Sequence, residues 1–244
     1  MKHLKKTLAL AMAVCCVGCF AACGGDDSGV PGESVKGVQV TAEEWAAAFA
    51  ASIEATNLSV NFSETYEFNN EYGSGKSTRS GVAKIADGKI FEEYSAKMTS
   101  SQTVDGSTAK MEQSGKAKEY YYAEESVWYS LEWNSIEDKW IKEAEDWFSA
   151  DNCTGAYYLD ELPDDFTLYT YSADKNAYVY EETEEDMTFS VEIKIKDGKI
   201  AAAKMTEAGE EGGGTGSESI AMEITYGGAS VTIPTDIVIA DDAE

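Results

Sequence analysis

Leu58-Ser59-Val60-Asn61-Phe62-Ser63-Glu64-Thr65-Tyr66-Glu67-Phe68 follows closely on a stretch of different rhythm, Thr41-Ala42-Glu43-Glu44-Trp45-Ala46-Ala47-Ala48-Phe49-Ala50-Ala51-Ser52-Ile53. The junction between them decides the fold. Over residues 41–56, which include the earlier stretch, Trp45, Ala48, Phe49, Ser52, Ile53 and Thr56 recur at three- and four-residue intervals. That spacing puts the large side chains on one stripe of a helix of about four turns. Thr41 and Glu44 have the separation of a capping box, in which each side chain meets the other's backbone amide, and Asn57 marks a stop. In the later stretch Leu58, Val60 and Phe62 alternate with polar residues, the period of a strand with one buried face. The pattern resumes at Tyr66 and Phe68, which predicts a shift of phase at a bulge.

Strands then dominate. Period-two or β-rich runs occur at 81–86, 89–98, 116–123, 127–133, 166–172, 177–182, 188–196, 199–206, 219–226 and 230–234. Asp87-Gly88 and Asp197-Gly198 each join two of them, and this dipeptide accepts the positive φ values of a type I′ hairpin turn. Segments 84–90 and 194–200 are near copies, the mark either of a duplicated sheet or of convergence, which turn chemistry alone can produce. The polar stretches 74–80 and 100–107 read as connections, and 209–219, with Gly212-Gly213-Gly214, as a flexible loop. Trp140, Ile141, Ala144, Trp147 and Phe148 lie at helical spacing behind Glu137 and Asp138. They predict a short helix or irregular crossover over 136–150, continuing through 152–162 to Pro163. The expected class is α+β, mainly antiparallel β: a curved sheet or half-barrel with an N-terminal amphipathic helix and a helical insertion.

The chain begins with basic residues Lys2, Lys5 and Lys6, an apolar run from Leu8 to Phe20, then Phe20-Ala21-Ala22-Cys23 and a polar turn of composition at Gly24-Gly25-Asp26-Asp27. A basic start, a short apolar stretch and small residues at a cleavage point are the layout of a secretory signal peptide. The run is shorter than the roughly 20 apolar residues of a permanent membrane span. Phe20-Ala21-Ala22-Cys23 resembles the lipobox of bacterial lipoproteins, with Phe20 in place of the usual Leu and with Cys19 as a competing site. The resemblance implies cleavage before Cys23, a diacylglyceryl thioether on its sulfur and commonly an acylated amino terminus such as palmitate would give. Two acyl chains are about what stable anchoring takes. The expected organisation is a signal peptide over 1–22, a flexible tether over 23–40, one β-rich domain over 41–240 and an acidic tail over 241–244. The expected location is the extracytoplasmic face of a cell membrane.

Composition narrows function. Removing 1–22 takes away three lysines and no acid, moving the formal charge from −26 to near −29. So acidic a surface repels nucleic acid and anionic headgroups, and solubility is its plainest use. His3 is the one histidine and leaves with the signal peptide, as do Cys15, Cys16 and Cys19. Histidine triads, histidine–zinc sites and intramolecular disulfides are thereby excluded in the mature chain. Cys153 lacks a histidine to activate it and reads as a small buried side chain. The acidic runs at Asp164-Asp165, Glu181-Glu182, Glu184-Glu185-Asp186 and Asp241-Asp242 do not reproduce a calcium loop. A carboxylate pair for glycoside hydrolysis requires convergence that spacing does not reveal. No catalytic residue, metal ligand or cofactor is assigned.

The 14 Tyr, 8 Phe and 5 Trp are more than one face of a sheet accommodates. On a strand Tyr120 and Tyr122 face one way and Tyr121 the other, so some aromatics must meet solvent or a ligand. The helix leading into 58–68, the Asp-Gly hairpins and the closing Ile224-Thr225-Tyr226 and Val231-Thr232-Ile233-Pro234 resemble in layout the half-barrel of LolA-like and LppX-like lipoprotein carriers. That resemblance implies an apolar cavity for acyl chains beneath the helix. The functional expectation is a non-enzymatic envelope lipoprotein binding an apolar or amphiphilic ligand, with no ligand-binding residue assigned. The alternative is a surface-displayed module docking a protein or glycan through exposed aromatics.

Overall fold

The computed structural model describes residues 31–32, 35–104, 107–134, 139–211 and 214–235. The signal peptide, Cys23 and the 241–244 tail lie outside the described residues. The body is one curved, open antiparallel sheet of eleven strands in the order β6-β5-β4-β3-β2-β1-β11-β10-β9-β8-β7. The strands are β1 Leu58–Asn70, β2 Gly73–Ala86, β3 Lys89–Val104, β4 Ser107–Glu124, β5 Val127–Asn134, β6 Lys139–Ala144, β7 Thr170–Ser172, β8 Ala177–Glu184, β9 Met187–Lys196, β10 Lys199–Glu211 and β11 Gly214–Tyr226. Two meanders, β1–β6 and β7–β11, meet where β11 pairs with β1, so the edges fall at β6 and β7.

Helix α1, Ala42–Ile53, starts at Thr41 with the expected capping box. It buries Trp45, Ala48, Phe49 and Ser52 on the sheet, a stripe at i, i+3, i+4 and i+7. Trp45 meets Tyr169 at 4.7 Å, Phe49 and Tyr178 at 4.9 Å, and its Nε1 donates to Asp164 O at 2.7 Å. A bulge between Ile200 and Ala202 breaks the β9–β10 ladder, and the Ile200 amide donates instead to Ser52 Oγ at 2.9 Å. The helix is thus fastened to β10 by a hydrogen bond that the ladder gives up. The segment ahead of α1 also lies against the body: the Val38 amide donates to Ile195 O at 2.9 Å, and Tyr178 Oη both donates to Val40 O and accepts from Val40 N.

The crossover from β6 to β7 packs beside α1. It carries a 3₁₀ turn at Ala150–Asn152, a one-turn helix α2 at Ala156–Leu159 and a 3₁₀ turn at Phe166–Leu168. Phe148 stacks on Tyr121 at 4.8 Å with the rings nearly parallel. A Cβ on Gly155 would lie 1.9 Å from Ser52 O, so only glycine lets the crossover approach the end of α1. Asp87-Gly88 and Asp197-Gly198 make their tight turns with φ of 54° and 66°, and 52° and 70°. Glu125 and Ser126 adopt the same backbone, at 49° and 74°, between β4 and β5.

Several expectations are corrected. β1 keeps continuous register with both neighbours and has no bulge; Glu64 occupies the position between Phe62 and Tyr66 on the same face. Residues 74–80 and 100–104, together with most of 209–219, belong to strands rather than connections. The 136–150 stretch holds strand β6, not a helix. Trp140 lies on one face of β6 against Trp133 while Ile141 pairs with Glu132 on the other, so no alternation is visible in the sequence. Residues 230–234 form no strand; β11 ends at Gly227 and Gly228, both at positive φ. There Asn57 clamps the chain by bonding Ala229 O and Ala229 N, each at 3.0 Å.

Candidate ligand-binding face

Directly opposed residues of an antiparallel pair share a face, so the register sorts every strand side chain. The inner face, which carries α1, takes Leu58, Val60, Phe62, Glu64, Tyr66 and Phe68 from β1. The first three are buried beneath α1 and the crossover. Beyond Glu64 the cover ends. Tyr66, Phe68 and Met111 are 40%, 36% and 47% exposed. Met205 and Ile220, half-buried and packed against the core, lie on the Tyr66 side of β1, whereas Gly75 and Ser100 stand between Phe68 and Met111 in their row. Phe68 lies close over the backbone of its partner Gly75, where a Cβ would sit 2.3 Å from the ring. Large apolar side chains therefore continue past the lid.

At the boundary between covered and open floor sits a charged cluster centred on Arg79, the chain's single arginine. Its guanidinium reaches Glu92 at 2.9 Å and Glu64 at 3.3 Å, lies 3.9 Å over the Tyr94 ring and 5.0 Å from that of Phe62. Its Nε is buried with no hydrogen-bond partner. Glu92 also accepts from Tyr158 Oη at 2.5 Å, which ties α2 to β3. Burial works against the Arg79 charge, but Glu64 and Glu92 outweigh it and hold the group protonated.

Glu92, Glu119 and Glu132 stand directly opposite one another on β3, β4 and β5. Burial, reinforced by Glu92, pushes the Glu119 carboxyl up to about 7, although Tyr121 Oη donates to it at 2.6 Å. Burial raises the Tyr157 and Tyr158 hydroxyls as well, so both remain neutral donors. A carboxyl that titrates near neutrality can exchange a proton. No arrangement of three or more acidic, cysteine or histidine side chains suited to a metal ion occurs among the described residues. Burial moves the Cys153 thiol up to about 11, so it is a neutral, inert side chain.

The outer face carries its own aromatic layer near β3–β6. Tyr120 and Tyr122 point outward and Tyr121 inward, as expected. Phe91 meets Tyr120 at 4.8 Å, Tyr120 meets Trp140 at 5.5 Å and Trp140 meets Trp133 at 5.3 Å, with Leu131 fully buried beside them. At the distal strand ends an open depression of about 800 Å³ takes the same three-residue level from β11, β1, β2, β3 and β4. Its lining mixes serine and threonine side chains and Asn69 with the charged Glu67, Lys76, Lys110 and Glu112, and includes Phe68 and Met111.

Sequence reasoning assigned no ligand-binding residue, and its one site residue, Cys23, lies outside the described residues. Arg79, Glu64, Glu92 and Glu119 were missed because register alone brings them together. The usable signal was the lone arginine among eighteen lysines, since arginine is the cation suited to stacking and to bridging two carboxylates. No protein-family model matches the chain, and a search of curated proteins finds no match.

Proposed function

We propose that this chain is a non-enzymatic lipoprotein of the bacterial cell envelope, anchored through acyl chains on Cys23 and facing the extracytoplasmic side. Its half-barrel-like sheet holds an apolar or amphiphilic ligand on the uncovered end of the inner face. The observation that carries this reading is the exposure of Tyr66, Phe68 and Met111 at inner-face positions beyond the cover of α1. Large apolar side chains left exposed together on one face, as Tyr66 and Phe68 are, mark binding surfaces. The ligand's place differs from the one the carrier resemblance implied. Trp45, Ala48 and Ser52 are at most 1% exposed, so α1 fills the space beneath itself and the open floor lies beyond it.

Native mass spectrometry of protein purified from its own membrane tests the reading. Co-purifying amphiphile is the expected result; repeated absence overturns it. The outer aromatic layer of Phe91, Tyr120 and Trp140, with Tyr72 66% exposed at the β1–β2 tip, supports the second reading, a module that docks a protein or glycan. That reading gains if ligand is absent and substitutions on the outer face abolish capture of a specific envelope component.

A further inference from the structure

Three carboxyls meet beneath the crossover, and the arginine beside them reaches two. Arg79 on β2 pairs with Glu92 at 2.9 Å and with Glu64 at 3.3 Å. Glu119 on β4 stands directly opposite Glu92 on β3 and is buried. Among the described residues it has no ion pair; its hydrogen bond comes from the Tyr121 hydroxyl at 2.6 Å. The groups facing it are Glu92 and Tyr94 on β3, Tyr121 on its own strand, Glu132 on β5, Arg79 on β2 and Tyr157 on α2. Tyr158, also on α2, bonds to Glu92. A buried carboxyl without a cation favours its neutral form, and burial, with Glu92 alongside, pushes the Glu119 carboxyl up to about 7.

The cover over this end of the inner face is the crossover. Phe148 lies parallel on Tyr121 at 4.8 Å and meets Trp128 at 5.0 Å, and the Tyr158 hydroxyl ties α2 to Glu92. Its fastenings on the α1 side use neutral groups instead: the Gly155 amide donates to Ala55 O at 2.8 Å, and Trp45 Nε1 donates to Asp164 O. One side of the crossover thus rests on the carboxyl cluster and the other does not. When Glu119 loses its proton, two negative charges stand opposed beneath the cover. Such a pair repels, and it is relieved when water reaches it.

We infer that the crossover is a proton-controlled cover: with Glu119 protonated it lies closed on β3–β5, and when Glu119 ionises Phe148 and α2 part from Tyr121 and Glu92. The bonds to Ala55 and Trp45 keep the segment tethered, so the opening is local. It bares Tyr121, Trp128 and Phe148, adding apolar surface to the inner face as pH rises. The closed form is fully favoured below the ordinary carboxyl value of 4.5 and gives way as pH climbs through about 7.

Cys153, 3% exposed within the same crossover, reports the opening. The purified protein is treated with iodoacetamide, and modification of Cys153 is followed by mass spectrometry of its peptide, in parallel with Glu119→Gln, which stays neutral at every pH. The ratio of the two rates cancels the ionisation of the thiol itself. It is expected to rise about tenfold from pH 6 to pH 8. In the unaltered protein at pH 8 the rate is expected to hold nearly constant up to about 1 M urea, because a local opening exposes little surface. A ratio that does not change with pH overturns the inference. So does a rate that climbs with urea in step with global unfolding, a criterion that needs no variant.

Discussion

Arg79 is held by charge, ring stacking and two carboxylates at once, and the arrangement is costly to break in part. A buried ion pair adds little net stability, because the desolvation it suffers offsets its attraction, but removing one partner strands the other. Arg79→Ala leaves Glu64 and Glu92 facing each other beside the core. We expect a loss of about 3 kcal/mol or more in denaturant unfolding; a loss below about 1 kcal/mol would mean that water already neutralises the two acids. Glu119 works in the opposite sense. Its carboxyl titrates near 7 in the folded chain against an ordinary 4.5, so the native state binds the proton more tightly than the unfolded one. The contribution is fully present below about pH 4.5 and is lost as pH rises through about 7, amounting to about 3 kcal/mol over that window. Glu119→Gln should flatten the dependence of unfolding free energy on pH between 5 and 8, and stabilise the protein at pH 8. An unchanged pH profile would show that another group controls it.

At the scale of elements, the helix, its capping box and both Asp-Gly hairpins were legible because each depends on neighbours in sequence. Thr41 meets Glu44 across one turn, and Asp87-Gly88 needs only its own two residues to reverse the chain. The distal halves of the strands were not legible. Residues such as Ser74, Ser77, Ser100 and Ser101 extend beyond the cover of α1, so no alternation between core and solvent is imposed on them; ladder hydrogen bonds hold them as strand. β6 was hidden for the opposite reason, with large apolar residues on both faces. The Arg79 cluster was invisible because its members lie 13 or more residues apart and meet only through register. Two element-scale predictions follow from the same geometry. Ser52→Ala strands the buried Ile200 amide and should cost about 1–3 kcal/mol, read as a lowered unfolding midpoint with an unchanged slope; no change would mean the amide finds another acceptor. Glu125→Asn/Ser126→Gly places residues that tolerate positive φ in the β4–β5 turn, and should stabilise by about 0.5–1 kcal/mol. A destabilised double variant would indicate that the Glu125 and Ser126 side chains contribute contacts outweighing the backbone gain.

Over the whole molecule, one sheet serves as both scaffold and surface. Its lower inner face is closed by α1 and the crossover, and the same strands run on without a lid. The stability of the covered half, with Leu58, Val60, Ile85, Ile90 and Ile193 fully buried, lets the distal half keep Tyr66, Phe68 and Met111 exposed. The outer face carries paired charges and supports solubility, while the inner face keeps acids and aromatics together. The most direct test is a titration of the purified protein with a fluorescent apolar probe, comparing Phe68→Glu/Met111→Glu on the inner face with Thr65→Glu/Lys110→Glu on the outer face. The account predicts saturable binding that Phe68→Glu/Met111→Glu weakens by at least about tenfold, with Thr65→Glu/Lys110→Glu close to the unaltered protein. Binding that both pairs weaken equally, or that neither affects, would contradict it.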